Sequence, residues 1–420
     1  MDIQYEPFSE AARVDPYPYY KALREHAPVY RAEGVGAWVV SRYDDVHHVL
    51  THPELFSSDA MRSMFMSEQT SAPTDVESVT RLMAVIQELM FSPQEMIAAR
   101  NMIAIDPPDH EKLRKIVNRG FTPRRIAAYE PKVRAIVASC MDKLRSGGRF
   151  DLVADLAVPV PTLIIAEMLG VEPGRYTDFR RWSDSVISNS TGSGRGRSPL
   201  ETGYLQAVAE LTRYLVSIVD ERTAHPSDDL VSVLIAAEGG EAGLTSLEVV
   251  VFTILLLVAG NETTTNLIGN AVKALLAHPD QLRMVERDRR LVAGLVEETL
   301  RYDGPIQFLF RRARQDTAIA GTPIRADEIV MPILGSANRD ERRFVRGEEF
   351  DITRDASGHL AFGFGVHYCL GSALARLEAG IALDAIIGEL PRLQRCDDEV
   401  EPIDSYLIRG PRRLELMRTA

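Results

Sequence analysis

The chain has 420 residues, of which 45% are hydrophobic and 26% charged, the composition of an ordinary globular protein. Its formal net charge of −12 argues against a general nucleic-acid binder, because the phosphate backbone attracts basic proteins. Three cysteines form an odd and sparse set, which disfavours a disulfide framework and favours a reducing compartment.

The sequence predicts neither a secretory signal nor a membrane-spanning helix. The opening segment MDIQYEPFSEAARVDPYPYY lacks the basic region and the apolar region of a secretory signal. The most apolar stretch, VVVFTILLLVA at residues 249–259, has 11 residues, whereas a bilayer-spanning helix needs about 20. A buried helix is the better interpretation. We therefore expect a cytoplasmic monomer with no membrane or nucleic-acid partner.

Helical spacing of apolar residues dominates the chain, as in YKALREHAPVY, PKVRAIVASCMDKLR and LARLEAGIALDAIIGEL. Short strand-like pieces occur at residues 36–40, 317–324 and 328–332. No internal repeat and no obvious linker separates these elements. The sequence therefore predicts one domain over residues 1–420 that is mainly α with a small β portion.

Two stretches have the composition of loops. Residues 57–105 mix Met, Ser, Thr and Pro around one helical piece, and residues 188–199 (SNSTGSGRGRSP) are rich in Gly and Ser. Loops of this length are commonly lids, binding loops or disordered segments. A functional lid and a plain flexible loop are equally supported alternatives for residues 188–199.

The strongest helix prediction begins at Leu244. Thr245 and Glu248 have the spacing of a capping box, and the helix continues to about Ala277, before His278 and a proline end it. Its midpoint is unusual, because the apolar run meets the polar sequence AGNETTT at residues 259–265. Glycine and polar side chains cost stability in a buried helix, and such local violations often mark functional sites.

Cys369 lies in the glycine-rich segment AFGFGVHYCLGSALARLE at residues 361–378, directly before an amphipathic helix. Glycines permit a tight loop, and backbone N–H groups at the positive end of the helix would stabilise a thiolate. Taken alone, a lone cysteine is more often a buried and inert thiol. The surrounding residues change that balance, because they form the pattern FxxGxxxCxG. The pattern consists of Phe362, Gly365, Cys369 and Gly371.

This pattern closely resembles the haem-binding signature of the cytochrome P450 family. Glu298 and Arg301 match the family's ExxR motif, and residues 259–264 (AGNETT) match its oxygen-activation motif. Residues 337–340 (ANRD) and 106–110 (DPPDH) resemble two further family segments. The motifs occur in family order from about residue 100 to 380, while the first hundred residues match more loosely. Chance is a poor explanation for five ordered motifs.

The resemblance implies the cytochrome P450 fold, with a long central helix over haem b and the cysteine loop beneath it. Cys369 would be the proximal iron ligand, since a thiolate donates electron density that favours O–O cleavage. Glu262 and Thr263 would be the acid-alcohol pair that delivers protons to dioxygen. Ala259 and Gly260 would contact the cofactor side, with Gly260 leaving room for dioxygen.

By the same resemblance, several cations and N–H donors would bind the haem propionates. His110 and Arg114 are four residues apart and share a helix face. His367 precedes the cysteine by two residues, and Arg311 occupies the family's arginine position, although Arg312 beside it remains an alternative. The remaining resemblance-based assignments place Phe362 and Gly371 at the cofactor and Glu298 and Arg301 in a structural pair that braces the cysteine loop.

The resemblance thus implies a monooxygenase that inserts one oxygen atom from O2 into a lipophilic molecule such as a steroid, fatty acid, terpenoid or macrolide. Hydroxylation and epoxidation are the expected outcomes. Segments around residues 57–105, 188–199, 255–259, 305–310 and 406–407 would form the substrate wall. The predicted lining residues are Met64, Leu256, Ala259, Ile306, Phe308 and Leu309.

Electrons would come from a separate ferredoxin or flavodoxin with its reductase. A basic cluster after His110 is the predicted docking surface for such an acidic donor, although an ordinary solvated face is the alternative. The cluster consists of Lys112, Lys115, Arg119, Arg124 and Arg125.

Two other functions compete with this prediction. A peroxide-driven peroxygenase would use the same cofactor, but such relatives tend to lose the acid-alcohol pair, which is intact here at Glu262 and Thr263. A non-catalytic haem sensor or carrier belongs to a different class, and the intact pair argues against it as well.

Overall fold

The computed structural model describes residues 4–61, 90–147, 149–190, 203–236, 243–397 and 399–418. Helices account for most of this length, and the prediction of a mainly α protein with a small β portion is confirmed. The first helices are α1 (Glu10–Val14), α2 (Tyr17–His26), α3 (Tyr43–Thr51), α4 (Pro93–Ala98), α5 (Asp109–Asn118), α6 (Pro123–Ala128), α7 (Glu130–Arg145), α8 (Pro159–Met168) and α9 (Tyr176–Ser190). They are followed by α10 (Tyr204–Ala224), α11 (Leu230–Ile235), α12 (Ser246–Leu256), α13 (Glu262–Ala277), α14 (Pro279–Arg287), α15 (Val292–Asp303), α16 (Leu334–Ala337) and α17 (Ser372–Ile387).

The strands form three small sheets. The largest has the order β1-β2-β8-β5-β3, in which only the β2–β8 pair is parallel. The predicted strand at residues 317–324 is a hairpin of two strands, because Ala320 and Gly321 adopt positive φ and turn the chain. The strands are β1 (Val29–Ala32), β2 (Ala37–Val40), β3 (Phe56–Ser57), β4 (Phe150–Asp151), β5 (Arg311–Ala313), β6 (Thr317–Ile319), β7 (Thr322–Ile324), β8 (Ile329–Pro332), β9 (Leu393–Arg395) and β10 (Glu415–Arg418).

The largest sheet is buried on both faces. Val39 belongs to a hydrophobic cluster with Tyr5 and Tyr20, whereas its neighbour Val40 belongs to a second cluster. Val330 and Met331 alternate between the same two clusters. Successive side chains of a strand point to opposite faces, so β2 and β8 each contribute to both clusters.

The chain divides into two compact units. The first comprises residues 1–61, 130–160 and 263–420, and the second comprises residues 62–129 and 161–262. The first unit contains all three sheets and the cysteine segment. The second is helical in its described part, and α10 buries much of one side there through Leu211, Leu215 and Val219. A single domain over residues 1–420 stays a prediction.

The helix predicted from Leu244 is present. Thr245 accepts from the backbone N–H of Glu248, and the Glu248 carboxylate accepts from the backbone N–H of Thr245, as the capping box requires. The helix runs over Ser246–Ala277, but Leu257–Asn261 is a π-helical turn. Such turns are rare and are often found at functional sites. The backbone is therefore irregular where the sequence changes from apolar to polar.

The same helix corrects one sequence expectation. Over its 32 residues it is long and apolar enough to cross a membrane by length and composition alone, although its most apolar run, residues 249–259, has 11 residues. The core helix of a globular protein meets the same criterion, and eleven residues of α13 are buried in the protein. The length of that run alone therefore underestimates the apolar length of the helix.

Two predicted loops fall largely outside the described residues. α9 continues to Ser190, so the first residues of the 188–199 stretch are helical and the rest are not described. Residues 62–89 are likewise outside the described part, and they include the predicted lining residue Met64. The described end of that stretch contains α4 with a capping box between Ser92 and Glu95.

Candidate active site

The cysteine segment is a tight loop that ends on α17. Gly363 and Gly365 have φ of 66° and 71°, a conformation that glycine adopts without a steric penalty. At Gly365 a side chain would also come within 2.7 Å of the Leu50 carbonyl oxygen on α3. The backbone N–H of Cys369 donates to the Phe362 carbonyl at 2.9 Å, which closes the loop.

The loop has features that suit a sulfur-ligated metal group. The Cys369 side chain forms no disulfide and is half-buried, so part of its surface is accessible. Gly371 is the N-cap of α17, and a Cβ built there would meet no atom within 4 Å. The partial positive charge of a helix N-terminus lowers the energy of a nearby thiolate. A bulky group bound through Cys369 therefore fits the residues present.

Glu298 and Arg301 form a fully buried ion pair on α15. Arg301 Nε lies 2.7 Å from Glu298 Oε2, and Nη2 donates to Oε1 at 2.8 Å, with both side chains at 0% exposure. The guanidinium also donates to the backbone carbonyls of Asn338, Gly347 and Glu349. Burying a charge is costly unless it is paired and hydrogen-bonded, and both conditions are met here.

This pair holds the segment before the cysteine loop rather than the loop itself. Glu298 Oε1 accepts from the backbone N–H of Asp351 at 2.9 Å and from Arg354. The connection to the cysteine loop passes through Asn338, whose Oδ1 accepts from the Leu360 N–H at 2.6 Å. The Glu298–Arg301 pair is therefore connected to the cysteine loop indirectly, through Asn338.

Glu262 and Thr263 are the first two residues of α13, directly after the π-helical turn, and both are half-buried. Thr265 has a different environment, since it is buried and its Oγ1 donates to the Ala157 carbonyl at 3.1 Å. That bond satisfies its hydroxyl within the core, as expected of a structural residue. Gly260 lies within the turn, and a Cβ there would touch Ile165 at 3.4 Å.

Asn261 is a residue that the sequence reasoning left without a role. It is buried, and its amide donates to the Thr162 hydroxyl. The sequence signal was the polar amide directly after Gly260 at the end of an apolar run. The hydrogen bond ties the π-helical turn to α8 within residues 161–262.

The first two predicted propionate partners lie on α5. His110 is 1% exposed, and its pKa is lowered to about 4 by burial and by the nearby charge of Arg114. It is therefore neutral near pH 7, and one of its ring nitrogens carries a proton. Arg114 is half-buried, and its Nε donates to Asn118 at 3.1 Å.

The side chains of Arg311 and Arg312 point to opposite faces of β5. Residues of β5 alternate between buried and half-buried, and Arg311 is 4% exposed. Arg312 points the other way, where its Nε donates to Asp59 at 3.1 Å. Arg311 is therefore the arginine directed inward, with Nη1 donating to the Phe310 carbonyl at 2.8 Å. His367 lies in the cysteine loop and is half-buried.

One predicted substrate-lining residue packs in a hydrophobic cluster. Phe308 is buried in the cluster that contains Tyr5 and Met331, and its ring lies 5.6 Å from that of Phe310. Packing accounts for its burial, and its place in the substrate wall stays a prediction. Ile306 and Leu309 are only partly buried and pack against the other cluster.

The predicted basic docking cluster is partly neutralised. Lys112 lies 3.0 Å from Asp109, and Arg125 lies 2.9 Å from Asp228. Arg119 donates to the Ala236 carbonyl at 3.2 Å. Exposed pairs of this kind are weak, so the positive charges remain accessible to a partner. Lys115 and Arg124 are also exposed.

Glu378 is a second residue that the sequence reasoning did not single out. It lies on α17 and is 2% exposed, with no hydrogen-bond partner for Oε1 among the described residues. Burial raises the pKa of Glu378 to about 8. The available signal was its position in LARLEAGIALDAII, where the helical spacing from Leu374 places an acid on the buried face.

Comparison with known proteins identifies the family. The family model described as Cytochrome P450 matches residues 197–416. The chain is 35% identical to 6-deoxyerythronolide B hydroxylase of Saccharopolyspora erythraea, with 96% of this chain and 96% of that protein covered. The chain therefore belongs to the cytochrome P450 family, as the motifs predicted.

Two solved structures support the same assignment. Cytochrome P450 CYP109Q5 from Chondromyces apiculatus is 38% identical with a TM-score of 0.85, covering 100% of this chain and 99% of that one. CYP109E1 from Bacillus megaterium in complex with corticosterone is 33% identical with a TM-score of 0.82, covering 98% and 100%. The chain has the cytochrome P450 fold and is a haem-thiolate monooxygenase of the bacterial type. Family membership implies haem iron, O2 and a supply of electrons.

The buried pair on α15 leads to a first prediction. Replacing Glu298 with Gln leaves the Arg301 charge buried without its counter-ion, which typically costs about 3–5 kcal/mol. The free energy of unfolding in urea should fall by that order, and less haem should be retained on purification. Glu130→Gln is the matched control, because Glu130 pairs with Arg134 on an exposed helix face. Equal losses in the two variants would contradict the bracing role.

Glu378 leads to a pH-dependent prediction. Its folded pKa of about 8 lies above the unfolded value of 4.5, so the folded state alone holds this proton between those pH values. The penalty for folding is absent below pH 4.5, grows by about 1.4 kcal/mol per pH unit, and is complete above pH 8.

Glu378→Gln removes this penalty. The variant should have nearly wild-type stability at pH 5 and be more stable than wild type at pH 8, measured as urea unfolding of the two proteins across that range. The exposed Glu341→Gln serves as the control. A stability difference that does not change with pH would refute the buried neutral carboxyl.

Proposed function

We propose that Cys369 is the proximal ligand of a haem b iron in this monooxygenase. The observation that carries the proposal is a half-buried cysteine, outside any disulfide, whose backbone N–H donates to the Phe362 carbonyl just before the N-terminus of α17. The loop glycines allow the close turn, and the helix N-terminus favours the thiolate over the thiol. When bound, the haem supplies the redox chemistry that activates O2 for insertion into an organic substrate.

Glu262 and Thr263 are proposed to deliver the protons that the reaction consumes. Thr263 Oγ1 can accept one hydrogen bond while donating another, so it can hold a proton donor in place. The Glu262 carboxylate can exchange protons with solvent and pass them on. Their position at the start of α13, next to a π-helical turn, is an irregular and polar place in an otherwise apolar helix. Functional residues commonly account for such irregularities.

The haem propionates are assigned to four donors. Arg311 is buried and directed away from Asp59, which makes it the better candidate of the two neighbouring arginines. Guanidinium groups bind carboxylates through two parallel hydrogen bonds. Arg114 supplies a second cation. His110, which is neutral near pH 7, and His367 would each contribute an N–H donor.

The proposed substrate is a lipophilic molecule of steroid or macrolide type, with fatty acids and terpenoids as alternatives. The relatives support this class, since one is named as a 6-deoxyerythronolide B hydroxylase and another was solved with corticosterone. Leu256, Ala259, Ile306, Phe308 and Leu309 are the proposed lining residues in the described part of the chain. Leu256, Ile306 and Leu309 are partly buried and Ala259 is exposed, so each has surface that a ligand can cover.

The electron donor is proposed to be a ferredoxin or flavodoxin with its reductase. The exposed basic residues of α5 and α6 would attract the acidic surface of such a protein, which raises the rate of encounter. We also propose a cytoplasmic monomer, in keeping with the small number of cysteines.

The function is tested by turnover of the haem-loaded protein. A set of steroids and macrolides is screened for shifts of the haem spectrum, and binders are incubated with O2, NADPH, a ferredoxin and its reductase. Mass spectrometry should find a product that has gained one oxygen atom, which comes from labelled O2. Product with hydrogen peroxide alone, and none with the electron donors, would favour a peroxygenase. Binding without any product would favour a sensor or carrier.

The acid-alcohol pair makes a separate prediction. Replacing Thr263 with Ala removes the hydroxyl, so proton delivery loses its control and electrons are diverted to peroxide or water. Product formed per electron pair should fall several-fold while electron consumption continues. Thr263→Ser retains the hydroxyl and should keep most of the coupling. Full coupling in Thr263→Ala would show that this residue does not deliver protons.

A further inference from the structure

Glu297, the neighbour of Glu298 on α15, holds a group of residues that the haem-binding assignments do not include. Arg376 of α17 donates from Nε to Glu297 Oε1 at 2.6 Å and from Nη2 to Oε2 at 2.9 Å. This is the bidentate geometry of the stronger arginine–carboxylate pairs. His359 Nε2 lies 3.1 Å from the same Oε2. Glu297, His359 and Arg376 are called the Glu297 clamp below.

The histidine of the Glu297 clamp has a defined tautomer. Its Nδ1 accepts from the backbone N–H of Ala361 at 3.2 Å, so that nitrogen carries no proton. The proton is then on Nε2, where it is donated to Glu297. Residue 359 precedes the cysteine loop and residue 376 follows it. One carboxylate therefore ties together both ends of the segment that contains Cys369.

Arg376 also contacts two neighbours of Cys369. Phe362 is hydrogen-bonded to the Cys369 backbone, and Tyr368 precedes Cys369 in sequence. The Arg376 guanidinium carbon lies 4.5 Å from the centroid of the Phe362 ring, within the range of a cation–π interaction. Its Nη1 donates to the Tyr368 hydroxyl at 3.4 Å. The Phe362 carbonyl accepts a hydrogen bond from the backbone N–H of Cys369, and Tyr368 directly precedes Cys369. The cation thus contacts the residue that orients the Cys369 amide and the residue beside it.

The Glu297 carboxylate of the clamp is ionised at neutral pH. Burial raises the pKa of Glu297, but hydrogen bonds from Arg376 and His359 outweigh it and lower the pKa to about 2. Both Glu297 and Arg376 are about one-third exposed, so the pair is only partly screened by water. Its geometry is therefore set by charge-assisted hydrogen bonds that persist at neutral pH.

The two neighbouring glutamates act on different parts of the chain. Glu298 binds Arg301, Arg354 and the backbone of Asp351, and reaches the cysteine loop only through Asn338. Glu297 binds residues that lie directly before and after the loop. Consecutive helix positions differ in direction by about 100°, which allows one helix to serve both tasks.

We propose that Arg376, held by Glu297, is a positioning residue that keeps Cys369 oriented and thiolate-ligated through its contacts with Phe362 and Tyr368. The inference rests on the proposed role of Cys369 as the iron ligand. Residues that orient a metal ligand commonly tune the metal as strongly as they stabilise the protein. Loss of the clamp should therefore change the ligand's state, and not only the stability of the fold.

The test compares Arg376→Gln, Glu297→Gln and Arg376→Lys in the haem-loaded full chain. The readout is the carbon monoxide spectrum of the reduced protein, which distinguishes a thiolate ligand from a neutral thiol. Arg376→Gln and Glu297→Gln should raise the neutral-thiol fraction several-fold at neutral pH. Arg376→Lys keeps the charge but loses the planar bidentate contact, so an intermediate fraction is expected.

Arg289→Gln is the matched control. Arg289 also ties α17 to another helical segment, by donating to the Asp384 carbonyl at 3.0 Å, but it lies near the far end of α17. It should reduce stability without changing the spectrum. The proposal is overturned if Arg376→Gln and Glu297→Gln fold and keep the wild-type spectrum, or if Arg289→Gln changes the spectrum equally.

Two further outcomes are also decisive. If Arg376→Gln does not fold, Glu297→Gln and Arg376→Lys decide the question by the same spectrum. If the wild-type protein itself shows no thiolate spectrum, the assignment of Cys369 as the ligand is wrong. A wild-type thiolate spectrum that is insensitive to the clamp would leave Cys369 in place and remove only the role of Arg376.

Discussion

A buried guanidinium is the constraint on which much of the cysteine-bearing unit depends. Arg301 has no access to solvent, and its cost of desolvation is offset by Glu298 and by the carbonyls of Asn338, Gly347 and Glu349. These carbonyls lie 37 to 48 residues further along the chain. An irregular segment without regular secondary structure thereby acquires fixed backbone positions. Asn338 transmits that order to Leu360, where the cysteine loop begins.

Helix α15 therefore organises the haem-ligand region from two of its faces. Glu298 orders the segment before the loop, and Glu297 contacts residues at both ends of the loop itself. The arrangement separates stability from positioning, because the first pair is fully buried while the second is partly exposed and lies against Phe362 and Tyr368. A buried charge pair is rigid once formed, whereas a partly exposed pair can be altered without unfolding the protein.

The long helix over Ser246–Ala277 contains a locally destabilising irregularity next to the proposed proton-delivering residues. Its π-helical turn occurs where Gly260 and Asn261 interrupt an apolar run, and the Asn261 amide is satisfied by Thr162. The polar residues Glu262 and Thr263 follow at once. A regular helix would have carried apolar side chains through this position more stably. The retained irregularity is consistent with selection for chemistry at these two residues, as proposed for the protons of the reaction.

Much of the site could be predicted because its motifs are contiguous in sequence. The cysteine pattern, the Glu298–Arg301 spacing and the polar interruption of the long helix are each readable within a few residues, and the capping box at Thr245 is equally local. Strand positions 36–40 and 328–332 followed from apolar alternation, although the hairpin at 317–324 was read as one strand. The family assignment needed only these patterns and their order.

The sequence by itself thus determined the family, the candidate ligand and the acid-alcohol pair. Only the tertiary structure decided which of two adjacent arginines faces inward, since that depends on the pleat of β5 and on Asp59, 253 residues away. It likewise decided that Phe308 packs in a core cluster, that Glu378 is buried, and that Glu297 meets Arg376. Burial and ion-pair partners are set by contacts between distant segments, and a local pattern carries no record of them.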